Sequence, residues 1–76
     1  MKRITDLTIL QEFTNDFGKT FGLYWCKFNG TQKLFTRSGD IIRVLTHYSD
    51  HDELDLIRND VKEELLQEIE LNKTYI

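Results

Sequence analysis

A chain of 76 residues, 39% hydrophobic and 30% charged, makes one domain with one core and is too apolar for intrinsic disorder. The formal net charge is −3, and no apolar run approaches the roughly 18 residues that span a bilayer, so a cytoplasmic domain with no membrane partner is expected. The single Cys excludes an internal disulfide and an all-Cys zinc site.

Met1-Lys2-Arg3 is basic, but Asp6 and Glu12 interrupt the apolar residues after it, so no secretory apolar region is expected. With no Pro in the chain, Gly, Asn, Asp and Ser must set the turns. Missing Ala as well, beside abundant Lys, Asn, Ile and Asp, suits an AT-rich coding sequence of the kind common in bacteriophages.

Residues 4–17 read as a first helix. Leu7, Leu10, Phe13 and Phe17 recur at three- and four-residue spacing, Thr5 or Asp6 can cap the start, and Gly18 can end it. Residues 19–28 and 32–37 read as strands joined at Asn29-Gly30, the strongest short-range hairpin signal, because a type I′ turn needs φ > 0 at both central residues. A two-residue loop sets Phe28 opposite Thr31, Cys26 opposite Lys33, Trp25 opposite Leu34 and Tyr24 opposite Phe35. One face then carries Tyr24, Cys26, Phe28 and Phe35, and the other Phe21, Leu23, Trp25 and Leu34.

Ser38-Gly39-Asp40 signals a second turn, and the β-branched run 41–48 reads as a third strand, with a helix capped by Ser38 as its alternative. The register across that turn is expected to set Arg43 beside Leu34, and Tyr24, Phe35 and Ile42 in line. Residues 50–72 read as a second helix with the stripe Leu54, Ile57, Val61, Leu65 and Ile69, capped by Ser49, Asp50 or Asp52; the tail from Asn72 to Ile76 frays unless Tyr75 and Ile76 dock. The expected fold is α+β, a small α-β-β-β-α domain with an antiparallel three-stranded meander and two helices mainly on one sheet face.

Charge divides by region. Residues 19–48 hold five bases and one acid, whereas residues 49–76 hold nine acids and three bases. His47 and His51, with Asp50, Asp52 and Glu53 nearby, lack a third neighbouring His or Cys and straddle a turn, so no metal is expected. Cys26 within a strand, beside Tyr24, Trp25 and Lys27, reads as a buried hydrophobe rather than a nucleophile. No nucleophile elbow, zinc-protease motif or phosphate-cradling loop occurs, and neither enzymatic activity nor a cofactor is expected.

Two surfaces remain as candidates for binding. Two helices on one face leave the other apolar set, expected at Leu23, Trp25, Leu34 and Ile41 with Arg43, open to a partner or a second copy. The acidic residues Glu53, Asp60, Glu63 and Glu64 on the last helix could dock in a basic groove, mimicking nucleic acid toward an enzyme that handles it. The expected function is therefore a non-catalytic protein-interaction module, in concrete form a phage-type inhibitor or adaptor occupying the surface of a larger host protein. The alternative is single-stranded nucleic-acid binding, with the sheet aromatics stacking bases beside Lys19, Lys27, Lys33, Arg37 and Arg43.

Overall fold

The computed structural model describes residues 2–48 and 51–74, the side chains of 46–48, 51–55 and 74 excepted. Five strands, β1 (Ile4–Thr14), β2 (Thr20–Phe28), β3 (Thr31–Ser38), β4 (Ile41–Tyr48) and β5 (His51–Leu56), precede one helix, α1 (Asn59–Thr74). The strands form a single antiparallel sheet in the order β1-β2-β3-β4-β5. The architecture is thus β-β-β-β-β-α, a five-stranded meander with one helix instead of three strands with two.

The central hairpin agrees with the sequence reading. Phe28 pairs with Thr31, Cys26 with Lys33, Trp25 with Leu34 and Tyr24 with Phe35. Asn29 and Gly30 both have positive φ, 52° and 84°, as a type I′ turn demands. Residues 41–48 are a strand, not a helix. The turn before it is the two-residue loop Gly39-Asp40, with Gly39 at φ 64°. This loop sets Arg43 opposite Thr36 rather than Leu34, and Val44, not Ile42, opposite Phe35. The slip of two residues leaves each side chain on its expected face.

The first segment is a strand, not a helix. Thr5, Thr8, Ile9, Phe13 and Thr14 favour the extended chain, and two irregularities in the β1–β2 register, one between Thr5 and Thr8 and one between Ile9 and Gln11, insert extra residues. Asp6 lies in the first of them with φ 53°. The bulges break the two-residue alternation, so that Ile4, Leu7 and Ile9 all reach the core, whereas Leu10, Phe13 and Phe17 of the expected helical stripe stand exposed. Beyond them Asn15 closes the loop to β2, its Oδ1 accepting bonds from the Phe17 and Lys19 amides at 3.0 and 2.9 Å. Phe17 stands 96% exposed at that loop.

The segment expected as one long helix divides. His51–Leu56 pairs with β4, so Leu54 and Glu53 are strand residues, and the helix begins only at Asn59. The proposed caps Ser49 and Asp50, and the tail pair Tyr75 and Ile76, lie outside the described residues. Val61, Leu65 and Ile69, four apart on α1, are buried against Ile4, Tyr24, Cys26, Phe35 and Ile42, with Ile57 packed at the margin. Gly22 sits beneath the Tyr24 ring, where an added Cβ would fall 2.5 Å from ring carbon Cζ.

Polar bonds fasten α1 to β1. Glu64 Oε2 accepts the backbone N–H groups of Arg3 and Ile4, both at 2.7 Å, and Glu64 Oε1 accepts Arg3 Nε at 3.2 Å. Asn72 Nδ2 donates to the Leu7 carbonyl at 3.0 Å. Burial raises the Glu64 pKa, but the two backbone donors and the Arg3 guanidinium outweigh it and hold the carboxyl below its usual range.

Three outcomes are expected. Leu65→Ala leaves a cavity at the centre of the helix interface and costs about 2–5 kcal/mol in chemical denaturation. Gly22→Ala pushes the Tyr24 ring off its seat at a cost of about 1–3 kcal/mol, and an unchanged midpoint would contradict the close approach. Because the Glu64 pKa is lowered in the folded state, its contribution is complete above the unfolded value of about 4.3 and is lost as pH falls through the folded value. The stability gap between wild type and Glu64→Gln, measured by urea titration across pH, is therefore widest near neutrality and closes in acid.

Candidate functional site: the open face of the sheet

The helix covers one sheet face, and among the described residues no layer covers the other. Alternation along β2 sends Tyr24 and Cys26 under α1 and Leu23 and Trp25 to the opposite side. Register then assembles that side in rows. Phe13, Phe21, Ser38 and Ile41 form one, Gln11, Leu23, Thr36 and Arg43 the next, and Thr8, Trp25 and Leu34 a third. Phe13 is 60%, Ile41 50% and Trp25 39% exposed, whereas Tyr24, Phe35 and Ile42 on the covered face are all at or below 2%.

Phe13 and Phe21 stack with centroids 6.4 Å apart, and Lys19 Nζ lies 5.3 Å from the Phe21 ring centroid. Beside this pair a shallow hollow of about 410 Å³ is lined by Gln11, Phe13, Phe21, Leu23, Thr36 and Arg37, with Gly22. Leu56 is exposed at the β5 margin, in register with Arg43.

Five of the residues singled out from the sequence, Leu23, Trp25, Leu34, Ile41 and Arg43, thus share this face. The acidic group does not join them. Asp60 pairs with Arg3 at 3.0 Å and Arg58 at 3.2 Å, and Glu64 is taken up by β1. The hydrogen bond from Arg3 holds the Asp60 carboxyl below its usual pKa range. Glu68 pairs with Lys2 at 2.7 Å. Glu63 is exposed on α1, on the far side of the molecule from Trp25, and Glu53 lies on β5 rather than on a helix. Asp60, Glu64 and Glu68 are thus paired with the chain's own bases and do not stand as a free anionic row.

The sheet bases also separate. Lys33 and Arg37 occupy helix-facing rows, opposite Cys26 and Gly22. Lys27 lies 3.4 Å from Asp6, and Arg43 is the exposed base among the open-face apolar residues. Phe13 escaped the sequence reading because it was placed on a helix; the β-propensity of Thr5, Thr8, Ile9 and Thr14 was the signal for its true position.

Nothing described resembles a catalytic constellation. Burial pushes the Cys26 thiol up to about 11, which keeps it protonated and unreactive. Burial and the bond to Glu12 raise the Tyr24 phenol to about 12, with its hydroxyl donating to Glu12 Oε2 at 2.6 Å. Glu12 also pairs with Lys73. Burial alone would raise the Glu12 pKa, and the Lys73 and Tyr24 bonds bring it below the ordinary range. Among the described residues no three His, Cys, Asp or Glu side chains converge on a metal position, and no helix is long and apolar enough to cross a membrane. The side chains of His47 and His51 lie outside the described set. Comparison with protein-family models, curated proteins and solved structures gave no significant match.

The exposure of Trp25 predicts a red-shifted emission that acrylamide quenches readily in the monomer. A blue-shifted, quench-resistant Trp25 in a verified monomer would place it against another layer. Trp25→Ala is expected to change stability by less than about 1 kcal/mol, since it removes no core contact.

Proposed function

We propose that the protein is a non-catalytic interaction module that docks on another protein through its open sheet face. The observation that carries this reading is the apolar field of Phe13, Phe21, Leu23, Trp25, Leu34 and Ile41 on a face that no described residue covers with a second layer. Single apolar residues on a surface need no explanation, but a continuous patch with Trp, Phe and Arg has the composition of interface anchors. In its concrete form the module is an inhibitor or adaptor of the phage type, acting inside the cell by occupying the surface of a larger host protein.

A protein partner fits this face better than single-stranded nucleic acid does. Stacking platforms set several bases among their aromatics, and here Lys33 and Arg37 face the helix while Lys27 is engaged by Asp6. Mimicry of nucleic acid by the helix loses support for the same kind of reason, since Asp60, Glu64 and Glu68 are neutralised by the chain's own bases.

Affinity capture with wild type and with Trp25→Ala, at low and near-physiological salt, tests the reading. The expected result is one captured protein whose binding weakens by about 2 kcal/mol or more in Trp25→Ala while the amide spectrum stays native. Tight, steeply salt-dependent retention of single-stranded DNA or RNA, lost in Arg43→Glu with Lys27→Glu, would overturn it in favour of a nucleic-acid ligand. Concentration-dependent dimerisation abolished by Trp25→Ala would assign the face to a second copy.

A further inference from the structure

The two edges of the sheet are treated differently. At β1 the outward backbone groups near Arg3, Ile4 and Leu7 are occupied by Glu64 and Asn72 of α1, and two bulges interrupt the strand. Such cover and irregularity stop an edge from recruiting further strands. At the other edge β5 pairs with β4 alone, and among the described residues no other segment bonds to its backbone.

The register identifies which groups of β5 point away from β4. The Ile57 amide donates to the Ile42 carbonyl at 3.4 Å, which marks Ile42 and Ile57 as a hydrogen-bonded pair. Bonded and non-bonded pairs alternate along an antiparallel ladder. Val44–Asp55 and Thr46–Glu53 are then bonded pairs, while Arg43–Leu56, Leu45–Leu54 and His47–Asp52 are not. The N–H and C=O groups of Asp52, Leu54 and Leu56 therefore point away from β4, three alternate residues able to pair with an added strand.

Chemistry along β5 selects the occupant. The strand reads His51-Asp-Glu-Leu-Asp-Leu56, with three acids and no Lys or Arg. Register puts Glu53 and Asp55 in the helix-facing rows of Thr46 and Val44, and Leu54 and Leu56 in the open-face rows of Leu45 and Arg43. A second copy pairing β5 with β5 would set acids against acids, which disfavours self-addition. We propose that the outer edge of β5 is a strand-addition site for an extended segment of another protein in which Lys or Arg alternates with apolar residues. Its basic residues fall in the rows of Glu53 and Asp55, and its apolar residues continue the open face beside Leu54 and Leu56. Main-chain bonds supply affinity in this mode and the alternating side chains supply selectivity. The inference stands apart from the open-face reading, because it uses backbone groups at the edge and not Trp25.

The test uses the full chain with two short capped peptides, one alternating Lys with Val and one alternating Glu with Val. The Lys–Val peptide is expected to bind saturably, with amide shifts and slowed hydrogen exchange at Asp52, Leu54 and Leu56. Leu54→Pro removes one outward N–H without touching the β4 ladder, and should weaken binding about tenfold, whereas Trp25→Ala should leave it unchanged. Double charge reversal, Glu53→Lys with Asp55→Lys, should switch preference to the Glu–Val peptide, and it decides the matter if Leu54→Pro does not fold. The proposal is overturned by equal binding of both peptides to wild type, by shifts centred on Trp25 or Glu63, by an unchanged preference after charge reversal, or by no saturable binding at millimolar peptide.

Discussion

One helix must bury the apolar side of five strands, and this constraint governs the rest of the molecule. A helix of 16 residues is about 24 Å long and presents one apolar stripe, here Val61, Leu65 and Ile69. That is enough to close over Tyr24, Cys26, Phe35 and Ile42, and among the described residues nothing remains for the opposite face. The helix is held in place by the burial of Val61, Leu65 and Ile69 and by the grip of Glu64 on the backbone amides of Arg3 and Ile4. Core, latch and open face are three results of the same shortage of covering structure.

Electrostatics acquires a different meaning in this arrangement. The acid-rich end of the sequence resembles a free anionic surface when read linearly, yet folding brings it against the basic start of the chain. Lys2, Arg3 and Lys73 meet Glu68, Glu64, Asp60 and Glu12 along one seam. Exposed pairs of this kind add little individually. Glu64 differs, because it also satisfies two backbone donors that would otherwise lie idle at a sheet edge.

The parts legible in the sequence were those with local chemistry. Asn29-Gly30 admits one tight turn, which fixed the β2–β3 register and with it the division between Tyr24 and Trp25. Helical spacing at Val61, Leu65 and Ile69 was equally direct. Reading failed where the backbone departs from regular alternation. Leu7, Leu10, Phe13 and Phe17 fall three and four apart although they form no single buried stripe, and Leu54 with Ile57 mimics a turn of helix although it straddles the end of β5. The two-residue slip at Gly39-Asp40 was hidden because it preserves the face of each residue while changing its partner. Of the candidate site, the half written on the hairpin was visible and the half contributed by Phe13 was not, since its placement depends on pairing with Phe21 from across a loop.

The position of α1 after all five strands has a consequence for how the chain is made. During synthesis the strands leave the ribosome before the helix that covers them, and the hairpins β2–β3 and β3–β4 need only near neighbours to form. Until α1 emerges, both sides of the nascent sheet are bare, and the edge of β1 lacks its carboxylate cap. A chain cut short before Asn59 would keep every strand and lose the layer that covers Tyr24, Cys26, Phe35 and Ile42. Such a fragment is a target for chaperones and proteases or a seed for aggregation. Formation of α1, rather than of the sheet, is the step that covers the core face and caps the edge of β1.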